Sequence, residues 1–222
     1  MTTYSLPQAH PDPATSTVRP SAWVAPLAAA VVAGVGLGVA DVAWSVRGGP
    51  LWTAIGNSCA GWATAAFVLG FLLRLDVVRS AVAGVVMLAV AVETYYAAAW
   101  QWLGSSRSIM TSDVALTWLV LAVVVGVPLG AAGGLAARSR SRVLSALGYA
   151  VGAAIPLGDA LHVGLRSASL DRGVQVEALV IAATLVLVPA LRRPTVLVLA
   201  AAFCLPAALV VARCFQLAGV SV

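Results

Sequence analysis

Lysine is absent from this chain of 222 residues, so all thirteen basic residues are arginine. No lysine Schiff base to retinal or pyridoxal phosphate can form, and no P-loop lysine exists to bind nucleotide phosphate. Charge of either sign is scarce. Only 9% of residues are charged, against about 25% in an ordinary soluble domain. With 61% hydrophobic residues and a mean hydropathy of +0.99, the composition demands lipid as the solvent. The three cysteines, Cys59, Cys204 and Cys214, form no CxxC pair and have no metal-ligand spacing. They read as small apolar packing residues. Histidine occurs only at His10 and His162, with no HExxH and no GxSxG, so neither a catalytic zinc nor a nucleophile elbow is expected. Aspartate-rich diphosphate-binding motifs are missing too. No metal and no cofactor is expected, and enzyme is the weaker class. The net charge of +5 comes from arginines scattered singly through short loops, which points to membrane orientation rather than nucleic acid.

What is present is a succession of apolar runs. Residues 1–22 hold Pro7, Pro11, Pro13 and Pro20 among polar residues and read as a disordered cytoplasmic tail. The run that follows is too long for a signal-peptide core. Residues 23–218 form one polytopic domain with spans at about 23–44, 51–73, 77–100, 114–137, 143–165, 174–191 and 195–217, each near the ~20 residues needed to cross hydrocarbon. The expected fold is therefore an all-α seven-helix transmembrane bundle. Six is the alternative if the last two spans merge across Arg192-Arg193-Pro194, a poor sequence to bury in lipid.

Arginine placement orients it. Arg19, Arg74, Arg79, Arg138, Arg140, Arg142, Arg192 and Arg193 fall on one side, Arg47, Arg107, Arg166 and Arg172 on the other. The positive-inside rule then puts the N-terminus inside and the C-terminus outside. The lysine-free, Ala/Val/Gly/Arg-heavy usage suggests a bacterium, and hence its cytoplasmic membrane. Gly34-x-x-x-Gly38, Gly126-x-x-x-Gly130-x-x-x-Gly134 and Gly148-x-x-x-Gly152 mark faces where helix backbones approach closely. Asp41 and Asp159 lie on the continuation of two such faces and should point into the bundle. Pro128, Pro156 and Pro206 sit mid-span, where kinks or cavity-lining backbone are expected.

Polar residues gather at one depth. Asp41, Asn57, Glu93, Tyr95, Tyr96, Asp159, His162, Glu177, Arg213 and Gln216 all fall in the outer halves of their spans, as a cavity open to the outside would require. Charged groups at membrane depth cost roughly 2.5–3.5 kcal/mol on insertion scales, and they are usually paired or turned inward. Glu93, deepest in its run, is the hardest to explain structurally. Asp159 and His162 share a face at i,i+3 and could exchange protons near neutral pH. The plainer readings compete. Asp41 and Arg213 could be ion-paired or close to headgroups, Asn57 could join helices, and Glu177 opens its helix, where an acid is favoured. A faint parallel repeat, Gly34 to Asp41 against Gly152 to Asp159, would relate spans 1–3 to spans 5–7, as in some carriers.

Asn57-Ser58, Trp62, Ala66-Phe67, Gly70, Arg79, Gly84 and Tyr95-Tyr96 together resemble a family of small bacterial polytopic membrane proteins, a domain of unknown function. The resemblance covers roughly Gly34 to Arg142. It implies membrane location and no mechanism.

Three functions follow. The first is a transporter or binding module for a small polar or cationic solute entering from outside. There Asp41, Glu93 and Asp159 attract the solute, His162 titrates, Asn57, Tyr95 and Tyr96 contact it, and Arg213 offsets negative charge. The second is a structural or regulatory subunit that meets a membrane-protein partner through its glycine faces. The third is an enzyme acting on a lipid or isoprenoid, with Glu93 or Asp159 as acid/base.

Overall fold

The computed structural model describes residues 21–48, 58–165 and 170–217. Every regular element among them is helical. They are α1 (Ser21–Arg47), α2 (Cys59–Leu73), α3 (Val77–Leu103), α4 (Asp113–Arg138), α5 (Arg142–Gly164), α6 (Leu170–Leu187) and α7 (Pro194–Leu217), with 3-10 segments at Arg107–Thr111 and Val188–Arg192. Six of the helices are long and apolar enough to cross a membrane, and they mark a membrane protein. α2 is apolar but has 15 residues, about 22 Å at 1.5 Å per residue, which is short of a hydrocarbon core of about 30 Å. The start of the expected span 51–73 lies outside the described residues, as does the tail expected before Ser21. The last two apolar runs form separate helices. Pro189 tightens the end of the first into a 3-10 turn, and Arg193 at φ −136° breaks the chain direction before Pro194 opens α7.

The helix starts follow from local chemistry. Ser58, Asp76, Ser112 and Ser141 each cap a helix with the side-chain oxygen accepting a backbone N–H, from Ala60, Arg79, Ala115 and Leu144 respectively. Such caps satisfy donors that the first turn leaves orphaned. Gly104 ends α3 in the left-handed conformation at φ 65°, which glycine adopts without a Cβ penalty. Arg74 does the same after α2 at φ 50°, where a side chain is less comfortable.

Glycine decides which helices touch. A Cβ on Gly34 would sit 2.5 Å from the Met87 carbonyl, and one on Gly38 would collide with the Ala91 carbonyl. α1 therefore presses its glycine face on α3. Gly126, Gly130 and Gly134 hold α4 against the stretch of α3 from Ser80 to Val85. Gly148 meets Ala132 and Ala136 of α4, and Gly152 lies against the Phe67 ring of α2. All three glycine motifs thus make contacts within this chain. A partner recruited through them would have to displace one of its own helices.

α5 is the most enclosed helix and touches α2, α4, α6 and α7. Its inward face includes Ala146, Tyr149, Ala150 and Ala153 in a core shared with Ala66 and Phe67 of α2, Ala132 of α4 and Ala200 and Ala208 of α7. Small residues dominate because close backbone packing is what holds helices together in lipid. The faint repeat does not survive this arrangement. In the first three helices α3 lies between α1 and α2, whereas in the last three α5 lies between α6 and α7. Pro128, Pro156 and Pro206 stand inside continuous helices.

Candidate functional site

The glycine face of α1 determines where its acid goes. Gly38 abuts the turn of α3 around Ala91, Thr94 and Tyr95, so Asp41, three residues on, is pressed inward beside that turn and is 3% exposed. The Trp62 indole Nε1–H of α2 donates to Asp41 Oδ2 at 2.9 Å. The other carboxylate oxygen, Oδ1, is buried with no hydrogen-bond partner among the described residues. Around this carboxylate the helices leave a cavity of about 350 Å³. Its walls are Asp41, then Ser58 at the cap of α2 with Cys59 and Trp62 of α2, Val92, Tyr95, Tyr96, Ala99 and Leu103 of α3, Ser105 and Ile109 of the connection, and Val114 and Trp118 of α4. Exposed Leu103 and half-buried Ser105 put its mouth at the end of the bundle where α3 passes into α4.

Aromatic rings dominate those walls. Trp62 stands edge-on to Tyr95 with centroids 6.2 Å apart and tilts toward Trp118 at 6.4 Å, while Tyr95 and Tyr96 meet at 5.3 Å in a T-shape. One carboxylate set among Trp62, Tyr95, Tyr96 and Trp118 is chemically suited to a cation of low hydration. The ring faces attract positive charge through their quadrupoles, and the bare Asp41 oxygen supplies the counter-ion.

Behind Ser58 lies a second buried polar group. Its hydroxyl donates to Asp159 Oδ2 of α5 at 2.8 Å while its oxygen also caps α2 through Ala60 N–H at 3.2 Å. Asp159 is 3% exposed and His162, one turn on, 2%. Both are enclosed by helices, and neither lines the cavity.

The expected convergence of the acids is therefore partial. Asp41, Tyr95 and Tyr96 share the cavity, and Asp159 reaches it only through Ser58. Glu93 does not belong to it. Glu93 is exposed and lines a shallow cleft with Arg107, Ser108 and Thr111. The reason is helical phase: Val92, Tyr96, Ala99 and Leu103 make one stripe of α3, and Glu93 lies about 100° round from Val92. Arg213 is also away from the cavity, exposed on α7, with its guanidinium donating to Gln216 Oε1 at 3.1 Å. Glu177 is exposed on α6. Asn57 falls outside the described residues. Trp118 went unnoticed in the sequence, and Ser58 and Trp62 entered only through the family resemblance. A tryptophan one turn inside a helix that opens with an acid was the available clue for Trp118.

Among the described residues no three of His, Cys, Asp and Glu gather closely enough to hold a metal ion.

The sequence model of a family of unknown function (DUF6518) matches residues 17–220. The chain belongs to that family. The match extends well beyond the stretch from Gly34 to Arg142 that carried the resemblance, and takes in α5, α6 and α7. No curated protein and no solved structure gives a significant match.

Proposed function

We propose that the protein is a binding module or transporter for a small organic cation, an ammonium compound, taken into the Asp41 cavity. The observation that carries this reading is the half-satisfied carboxylate. Asp41 Oδ2 is held by Trp62 at 2.9 Å while Oδ1, buried, has no partner among the described residues. An unsatisfied buried polar atom costs about 1–3 kcal/mol, and more when it is charged. A cation seated among Trp62, Tyr95, Tyr96 and Trp118 offsets that cost. The cavity volume of about 350 Å³ suits a ligand at the small end of the usual pocket range.

The proposal includes seven crossings, one of which contains α2, the shortest α-helix among the described residues. The N-terminus is cytoplasmic, the C-terminus is outside, and the membrane is the cytoplasmic membrane of a bacterium. Arginine bias supports that orientation. It turns the cavity mouth, at the α3–α4 connection, outward. Asp159 and His162 then lie toward the same outer end of the bundle, with Asp159 joined to the cavity wall through its bond from Ser58.

The test is thermal unfolding of the purified protein with tetramethylammonium and choline-like amines, beside neutral isosteres in which carbon replaces the quaternary nitrogen. A cation at about a hundred times its Kd stabilises by about 2.7 kcal/mol. Wild type should respond to the cations alone and Asp41→Asn to neither set. Equal responses to the neutral isosteres, or no response to any cation, would reject the reading.

A second reading has a specific observation behind it. The Asp41–Trp62 and Ser58–Asp159 bonds tie α1 and α5 to α2, as the buried polar groups of a structural or regulatory subunit would. It predicts that Asp41→Asn impairs folding and that no cation stabilises wild type. The lipid-modifying enzyme gains no support, because Asp41 is the single carboxylate among the described residues lining the cavity.

A further inference from the structure

At the opposite end of the bundle, the α4–α5 turn and the start of α7 enclose a second cavity, of about 510 Å³. Arg138, Arg140, Arg142 and Arg193 line it, together with Ser139 and Thr195. All four arginines are exposed. Among the described residues none of them has an acidic partner; the ion pair found there joins Arg79 to Asp76. Two of them also stand against the local backbone field. Arg142 opens α5 and Arg193 directly precedes α7, and neither helix has an acid in its first turn. Helix N-termini favour negative charge, so cations placed there leave an uncompensated positive potential over the cavity. The turn that carries them is fixed. Ser139 Oγ accepts Ser141 N–H at 3.2 Å, and Ser141 Oγ accepts Leu144 N–H at 3.4 Å.

We infer that this cavity binds the phosphate group of an anionic membrane phospholipid. Guanidinium forks match phosphate oxygens in pairs, and basic pockets between transmembrane helices are built for such headgroups. The membrane, rather than free phosphate in solution, is the source, because the same helices are candidate spans. Beside the arginines they expose Val143, Leu144 and Val198, apolar surface on which acyl chains can lie. The plainer account, arginines that serve only to orient the chain, requires no lipid preference.

The experiment is native mass spectrometry of protein reconstituted in phosphatidylcholine mixed with phosphatidylglycerol and then stripped with detergent. Wild type should retain phosphatidylglycerol in preference to phosphatidylcholine. R140Q/R193Q should lower that preference by about 30-fold. R47Q/R107Q, the same charge change at the other end, should leave it intact. R140K/R193K keeps the charge that orients the chain and should retain binding with part of the preference, since lysine lacks the fork. Equal retention of phosphatidylcholine by wild type, or an unchanged preference in R140Q/R193Q, would overturn the inference. Competition by inorganic phosphate or glycerol phosphate as effective as that of the lipid would overturn the lipid assignment and leave a soluble anion as the ligand.

Discussion

Trp62→Phe isolates the bond on which the cavity depends. The substitution keeps an aromatic ring on α2 but deletes the indole N–H that donates to Asp41 Oδ2 at 2.9 Å. Because Oδ1 is already without a partner among the described residues, the variant leaves a carboxylate that is 3% exposed with no hydrogen bond from any of them. A bond to a charged group contributes about 1.5–3 kcal/mol. Part of the edge-on contact with Tyr95, centroids 6.2 Å apart, is lost as well, and such pairs contribute about 0.5–1.5 kcal/mol. The expected destabilisation is about 2–4 kcal/mol. Asp41→Ala removes the acceptor, so the Trp62→Phe/Asp41→Ala double variant should be less unstable than the sum of the singles. The expected coupling is about 1.5–3 kcal/mol. Reversible denaturation in mixed micelles, monitored by tryptophan fluorescence with the change at position 62 calibrated separately, measures the cycle. Additivity within about 0.5 kcal/mol would refute the argument that Trp62 and Asp41 act as a unit.

The remaining predictions concern particular contacts. Ser58→Ala removes both the α2 cap and the Asp159 partner, and should cost about 2–4 kcal/mol in the same denaturation assay; a loss confined to the cap's ~1 kcal/mol would mean that Asp159 needs no donor. Gly130→Ala drives a methyl into the Ser80 carbonyl, whereas Gly36→Ala meets nothing within 4 Å. Folded yield by size-exclusion chromatography should fall sharply for the first and stay level or rise for the second; equal yields would contradict the glycine-mediated contact of α3 with α4. In a chain with Cys59, Cys204 and Cys214 replaced by alanine, single cysteines should react with an impermeant thiol reagent fastest at Ser105, slowly at Asp41 and negligibly at Asp159. Fast labelling at Asp159 would show an aqueous path past Ser58 that the packing does not provide.

Hydropathy alone located all six of the long apolar helices to within a few residues. It works because every backbone group in lipid must be satisfied within its own helix, so length and apolarity suffice to find one. Glycine spacing also identified the close-approach faces, and through them the inward direction of Asp41 and Asp159, since a side chain's face depends only on its position along its own helix. Glu93 marks where that reasoning stops. Its position along α3 was legible, but whether its face of α3 met α2, α4 or open surroundings depended on the order of helices around the bundle. α1 seats on α3 through Gly34 and Gly38, and α3 on α4 through Gly126, Gly130 and Gly134, which leaves the Val92–Tyr96–Ala99 stripe facing Trp62 and turns Glu93 away. Trp118, Ser58 and Trp62 became one site for the same reason: residues from α2 and α4 meet Asp41 of α1 only after those contacts form. Composition and periodicity settled that this chain is a helical membrane protein. Which of its few polar groups share a cavity was decided by which backbones could come within touching distance, a property of pairs of helices that no single helix encodes.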